Sequence, residues 1–204
     1  MNTSTRSTGR TLVVAVRAML LFTAVLGVGY TLVITGVGQL LLPGQANGSL
    51  VRDAGGDVIG SSLIGQSFAD ADGEPLPEYF QPRPSAAGAG YAGGVSSGSN
   101  WGPENPDLVA AIEERRQQIA AFDGVSVDEI PADAVTASAS GLDPHISAEY
   151  AAIQVARVAE ARGMSEAEVR ELVAQHTRGR DLGYLGEPVV DVLELNQALD
   201  ERKG

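Results

Sequence analysis

From Ala18 to Leu42 the chain holds 25 residues without one Asp, Glu, Lys, Arg or His. As a helix, this run rises about 37 Å at roughly 1.5 Å per residue. The hydrocarbon core of a bilayer is about 30 Å thick and needs roughly 20 apolar residues to cross it. The run therefore predicts a transmembrane helix, tilted or frayed at one end. Arg6, Arg10 and Arg17 precede it and no acidic residue does. The positive-inside bias then keeps the N-terminus in the cytoplasm and puts everything after Leu42 on the far side. A cleaved signal peptide shares the basic start, and Gly44-Gln45-Ala46 would be a tolerable cleavage site. Its apolar region, however, spans only about 7–15 residues. A buried core helix would show a polar face, which this run lacks. Gly27, Gly29, Gly36 and Gly38 would let a partner helix approach closely, although glycine is common in membrane helices in any case.

The region after the span is long enough for one domain with a real core. It carries all 26 acidic residues of the chain and, from Arg52 to Lys203, 11 basic ones. So acidic a surface argues against nucleic acid or anionic lipid as its partner. It suits a solubilising face and would weakly concentrate cations. There is no Cys, hence no disulfide and no thiolate chemistry. The one lysine is Lys203, so the chain holds no P-loop, which needs Lys directly after its glycines.

Pro43 to Gly48 reads as a polar linker. Ser49-Leu50-Val51 and Asp57-Val58-Ile59-Gly60 flank the turn Asp53-Ala54-Gly55-Gly56 and predict a β-hairpin continuing toward Leu63-Ile64. Residues 69–104 lack periodicity and are rich in Gly, Pro and Ser, so this stretch is either functional or disordered. The rest reads as helices. Asn105 caps a first one, with Pro106 at its first position and a stop at Gly124. A second starts after Ser147 and ends at Gly163, with Tyr150, Ile153, Val158 and Ala161 inward. Ser165 and Glu168 form a capping box that opens a third, to about His176. Pro188-Val189-Val190 reads as a short strand, and Asp191 caps a last helix. The expected fold class is α+β. Residues 1–17 form a cytoplasmic N-terminus, 18–42 the transmembrane helix and 43–48 the linker. Residues 49–204 form a helix-rich extracytoplasmic domain with a small hairpin or sheet.

Three constellations tempt a chemical reading. Gly88-Ala89-Gly90-Tyr91-Ala92-Gly93 matches G-x-G-x-x-G, but the dinucleotide mechanism needs a strand before it and a helix opening at it. Ser138, Ser140, Asp143 and His145 crowd into eight residues, too short a run, with Pro144 inside it, for a Ser-His-Asp triad. They read instead as a turn whose Ser147 starts the next helix. His145 and His176 are the only histidines and lie far apart, so a zinc site would need distant carboxylates. No catalytic machinery is visible.

The wording of the sequence carries further. Tyr79-Phe80 with Arg83-Pro84-Ser85-Ala86 comes first, followed by Ser97-Gly98-Ser99-Asn100 and Gly102-Pro103-Glu104-Asn105-Pro106. Pro131-Ala132-Asp133, Val135-Thr136-Ala137-Ser138 and Ser140 to Ser147 make a central block. Gly179-Arg180, Leu182-Gly183 and Leu185-Gly186-Glu187-Pro188, running on to Asn196, make the last. In this order, behind an N-terminal anchor, the blocks resemble the C subunit of the Kdp potassium-transporting ATPase along the whole chain. Trp101 stands where that family more often has an aliphatic residue, and Asp191 where Asn is usual. An acidic insert, Asp70 to Glu78, precedes the Tyr-Phe block.

The resemblance implies a non-catalytic accessory subunit of a high-affinity potassium uptake complex in the cell membrane. Its partners would be a potassium-channel-like subunit and an ATP-hydrolysing subunit, with lipid around residues 18–42. The family is described as a chaperone raising the pump subunit's ATP affinity. With residues 43–204 outside, where there is no ATP, that effect is expected to be indirect. ATP and potassium would belong to the complex, and this chain would bind no cofactor of its own. The blocks single out Arg83, Pro84, Ser85, Ser99, Asn100, Asn105, Asp143 and His145 as candidate interface or structural residues. The loop from Tyr79 to Pro106 is expected to pack on its own domain and on a partner near the mouth of the ion pathway. Arg83 should find a carboxylate or carbonyl. The competing class is a free-standing anchored binding protein or hydrolase, which would show a pocket with converging polar groups.

Overall fold

The computed structural model describes residues 4–202, so Lys203 and Gly204 lie outside the described residues, and of Arg6 only the backbone is described. The chain forms two compact units that divide between Ser49 and Leu50. The first is one long helix. It comprises α1 (Ser4–Phe22), a π-helical stretch (Thr23–Tyr30) and α2 (Thr31–Leu41). Thr8–Leu41 is long and apolar enough to cross a membrane. The helix stops at Leu42 because the residue before a proline is pushed out of the α region, here to φ −135° and ψ 53°. Pro43 then opens a single turn, α3 (Pro43–Ala46), inside the segment read as linker.

The second unit begins with the hairpin β1 (Leu50–Arg52) and β2 (Val58–Ser61), paired antiparallel with Leu50 opposite Ser61. Asp53 holds its turn by accepting the Asp57 N–H at 2.9 Å. The strand does not continue to Leu63-Ile64. The chain turns back after Ser61, forms one bridge to Ile64, and leaves both apolar residues exposed.

The helices of this unit are α4 (Pro106–Asp123), α5 (Ala132–Val135), α6 (Ala148–Arg162), α7 (Glu166–Gln175) and α8 (Val192–Glu201). Their ends follow local chemistry. Asn105 accepts the N–H groups of Asp107 and Leu108, and Ser147 that of Tyr150. Ser165 and Glu168 close a capping box, and Asp191 accepts from Glu194. Gly124 and Gly163 terminate α4 and α6 in the left-handed region, at φ 67° and 66°, where a Cβ would be strained.

Three short strands complete the unit: β3 (His145–Ser147), β4 (Thr177–Arg178) and β5 (Val189–Asp191). They form an antiparallel sheet in the order β3-β5-β4, with Ile146 and Thr177 both opposite Val190. Of these three the sequence predicts only the middle strand, and it reads Ser138 to His145 as a turn before the helix that starts at Ser147. Strands of two or three residues are too short to show a period of two, and their pairing is non-local. The core lies between this sheet and the helices, with Ile146, Val155, Leu172, Val190, Leu195 and Leu199 fully buried. Ala161, expected inward, is exposed. The buried stripe of α6 runs through Tyr150, Gln154, Val155, Val158 and Ala159 and includes Arg157, so polar residues occupy part of it.

Candidate functional site

The irregular segment from Pro77 to Ala87 is laid over α6 and α8 and fastened there by buried polar side chains. Phe80 is fully buried, and Asn196 of α8 bonds its backbone on both sides, accepting from N–H at 2.8 Å and donating to C=O at 3.0 Å. Gln154 of α6 does the same for Gln81, at 2.6 and 3.2 Å. Arg157 lies next to it on the same face. Its Nη1 donates to Pro77 O at 2.6 Å and Tyr79 O at 3.0 Å, its Nη2 to Gln154 Oε1 at 2.7 Å, and its Nε to Asp123 Oδ1 at 2.7 Å. The pair is almost dry, the two side chains being 7% and 2% exposed. Burial pushes the Asp123 carboxyl up, against the opposing pull of the Arg157 hydrogen bond and charge. Phe122 stacks beneath the guanidinium, 4.3 Å from ring centroid to Cζ. Further out, Arg162 donates to Glu78 O at 2.6 Å and pairs with Asp200 at 2.8 Å.

The next stretch of the segment meets the central block. Arg83 Nη1 donates to Asp143 Oδ2 at 2.9 Å and Nη2 to Thr136 O at 3.3 Å, so this arginine finds both a carboxylate and a carbonyl within its own domain. The other Asp143 oxygen accepts the His145 backbone N–H at 3.0 Å and lies 3.5 Å from its Nδ1. Burial pushes Asp143 up, but the hydrogen bonds from His145 and the charge of Arg83 outweigh it and hold the carboxyl below its ordinary value. Pro84 O accepts Ser138 N–H at 3.3 Å, and Ser85 Oγ donates to Gly141 O at 2.6 Å. The Tyr91 hydroxyl donates to Arg83 O, and burial raises its pKa. Ser97 N–H donates to Ser140 O at 3.0 Å. At Gly141, φ 68°, the two stretches of chain approach closely: a Cβ there would stand 2.6 Å from Ser97 O.

The remaining sequence-derived candidates serve local structure. Asn105 caps α4, and Asn100, at φ 54°, donates to Gly98 O at 3.1 Å. Ser99 is half-buried in the same loop. Ser140 Oγ accepts Leu142 N–H at 3.1 Å, and neither it nor Ser138 is placed as a nucleophile against His145. The glycine loop 88–93 is a turn with no strand before it and no helix after it. A groove of about 470 Å³ opens beside the Arg83–Asp143 pair, lined in part by Asp133, His145, Ser147 and Glu149. Its Asp133 is already engaged, accepting from Ser147 N and Oγ, both at 2.8 Å. Among the described residues no three His, Asp or Glu side chains could hold a metal ion together. The polar groups here mostly saturate one another, an arrangement that fastens segments of chain. The residues missed from the sequence are Gln154, Arg157 and Asn196. Their one signal was a polar residue at a helix position that the apolar spacing assigns inward.

These features define a class: a membrane-associated protein with one candidate span near its N-terminus and a small α+β domain held by internal polar clamps. The family model described as the K+-transporting ATPase c chain matches residues 12–201. A potassium-transporting ATPase KdpC subunit of Kineococcus radiotolerans is 55% identical over 181 residues, covering 89% of this chain and 88% of the relative. The KdpC subunit of Caulobacter vibrioides strain NA1000 is 52% identical, covering 92% and 91%. That of Myxococcus xanthus is 47% identical, covering 95% and 89%. The chain belongs to the KdpC family, the c chains of the K+-transporting ATPase, and is thus a potassium-transport subunit.

Proposed function

We propose that this chain is a non-catalytic accessory subunit of an ATP-driven potassium uptake complex, needed for its assembly and stability. The observation that carries the reading is the family match over residues 12–201, which takes in the apolar helix and the whole domain together. Two features support it. The polar residues of the central block are consumed in bonds between segments of the chain, as in Arg83–Asp143 and Ser85–Gly141. Arg10 and Arg17 before the apolar run, with no acid among them, favour a cytoplasmic N-terminus and an outer domain. On that topology, ion translocation and ATP hydrolysis reside in partner subunits. Any effect of this chain on ATP affinity passes through conformational coupling, which requires that it bind the partners' states unequally.

The test is complementation. A strain lacking this subunit should fail to grow at limiting potassium, and the full chain should restore growth. A reporter active only in the cytoplasm, fused after Gly204, should stay silent. Normal growth of the deletion strain would sink the accessory role, and a bright reporter would reverse the topology and revive direct ATP contact.

A further inference from the structure

The second unit is acidic overall, yet one of its grooves is not. About 340 Å³ in volume, it lies between α4, α6 and the irregular chain that precedes α4, and among the described residues no Asp or Glu lines it. Two arginines do, Arg83 and Arg115. Arg83 is balanced by Asp143 at 2.9 Å. Arg115 is not balanced: its Nη1 donates to Val135 O at 2.9 Å, and it pairs with no carboxylate among the described residues. The Nε–Nη2 edge of this guanidinium is therefore free, and such an edge grips a carboxylate through two parallel bonds. Tyr150 reaches the same groove from α6. It is only 3% exposed, and its hydroxyl bonds no described residue. A phenol buried this deeply ordinarily finds a hydrogen-bond partner. Burial raises its pKa, so the hydroxyl stays protonated and remains a donor. The carboxylates near Tyr150 are already engaged. Asp123 pairs with Arg157 at 2.7 Å, and Asp133 accepts from Ser147 N and Oγ, both at 2.8 Å.

We infer that this groove binds a small organic monocarboxylate, its oxygens shared between the free edge of Arg115 and the Tyr150 hydroxyl. Charge and shape choose the ligand. One unbalanced guanidinium matches one negative charge, and its flat edge matches a planar carboxylate. A polyphosphate would bring several charges to a chain whose net charge is already −12. Pro75, Pro82 and Ile119 also line the groove and receive an apolar body. Ligand pockets run from about 300 to 1,000 Å³, and this one is at the small end, so the body is short, a few carbons or a single ring. The occupant bridges α4 to α6 beside the segment that Gln154 and Arg157 clamp, and so stiffens that segment. The site belongs to this chain alone and does not need the partner subunits.

The experiment titrates the full chain, purified in detergent, with benzoate and follows both ligand-observed NMR and thermal unfolding. Benzoate should bind with a Kd on the order of 1 mM and raise the unfolding midpoint. Benzamide, of the same shape without the charge, should do neither. Tyr150→Phe removes an oxygen that bonds nothing in the chain, so the midpoint without ligand should stay unchanged while benzoate affinity falls about tenfold. Arg115→Gln should abolish binding. The inference is overturned if benzoate does not bind, if benzamide binds equally, or if inorganic phosphate or ATP is preferred to benzoate. Undiminished affinity in Tyr150→Phe also overturns it. So does a lowered midpoint of that variant without ligand, which would mean that the hydroxyl is already bonded within the chain.

Discussion

Two stretches without extended regular structure behave in opposite ways. The segment from Pro77 to Ala87 has no helix or strand of its own, yet Phe80 and Ala87 are fully buried and its backbone groups are taken up by Asn196, Gln154 and Arg157. The turn 180–187 has its backbone bonded to itself and its apolar side chains in solvent. The first stretch is order imposed from outside, by polar groups that helices bury for that purpose. The second is order generated locally and pointed away from the domain. In these two stretches the destination of the backbone hydrogen bonds separates irregular chain that joins the core from irregular chain that faces solvent.

The sharpest way to break the comparison is Arg157→Leu. It leaves Asp123 buried without its cation and frees the Pro77 and Tyr79 carbonyls, so it should cost about 3–5 kcal/mol, read as a large fall in unfolding midpoint of the full chain. Asn196→Leu strands the N–H and C=O of Phe80 and should cost about 2–3 kcal/mol. If either variant unfolds like the parent, the segment is not clamped.

Asp191 works in the other sense. One of its oxygens caps α8, while the other is buried without a partner, and burial raises its pKa. Its ionisation therefore costs the native state more than the unfolded chain, so stability falls as pH rises from the ordinary carboxylate value through that raised value. Asp191→Asn should add about 1 kcal/mol at pH 7.

Asp143 has the opposite sign. Its lowered pKa contributes stability above its unfolded value, lost as pH falls below about 4. Asp143→Asn should flatten the acid limb of the stability curve. The smallest effect is at the tip: Leu182→Gly relieves a positive φ and should change stability by no more than about 1 kcal/mol, in the favourable direction. A clear loss there would mean that Leu182 packs inside the domain.

What the sequence made legible was what is decided locally. The caps at Asn105, Ser147, Ser165 and Asp191 depend on residues two or three positions away, and each is found where its spacing put it. The apolar run was legible because it has no competing pattern. Strands β3 and β4 were not, because two or three residues carry no period and their partner Val190 is brought up only by the fold. The clamps were hidden for another reason. Gln154, Arg157 and Asn196 stand at inward helix positions, but nothing in the sequence names the segment they grip. Arg83 falls between: its need for a partner could be argued from its isolation in the sequence, but Asp143, 60 residues away, could not be named.

The most direct test of the account is purification of the tagged full chain from membranes of cells grown at limiting potassium, with its companions identified. The account predicts that it comes away with the ion-carrying and ATP-hydrolysing subunits of the potassium-transporting ATPase, and that Arg157→Leu, which loosens the clamped segment, reduces their yield. Recovery of the chain alone from such membranes would contradict it.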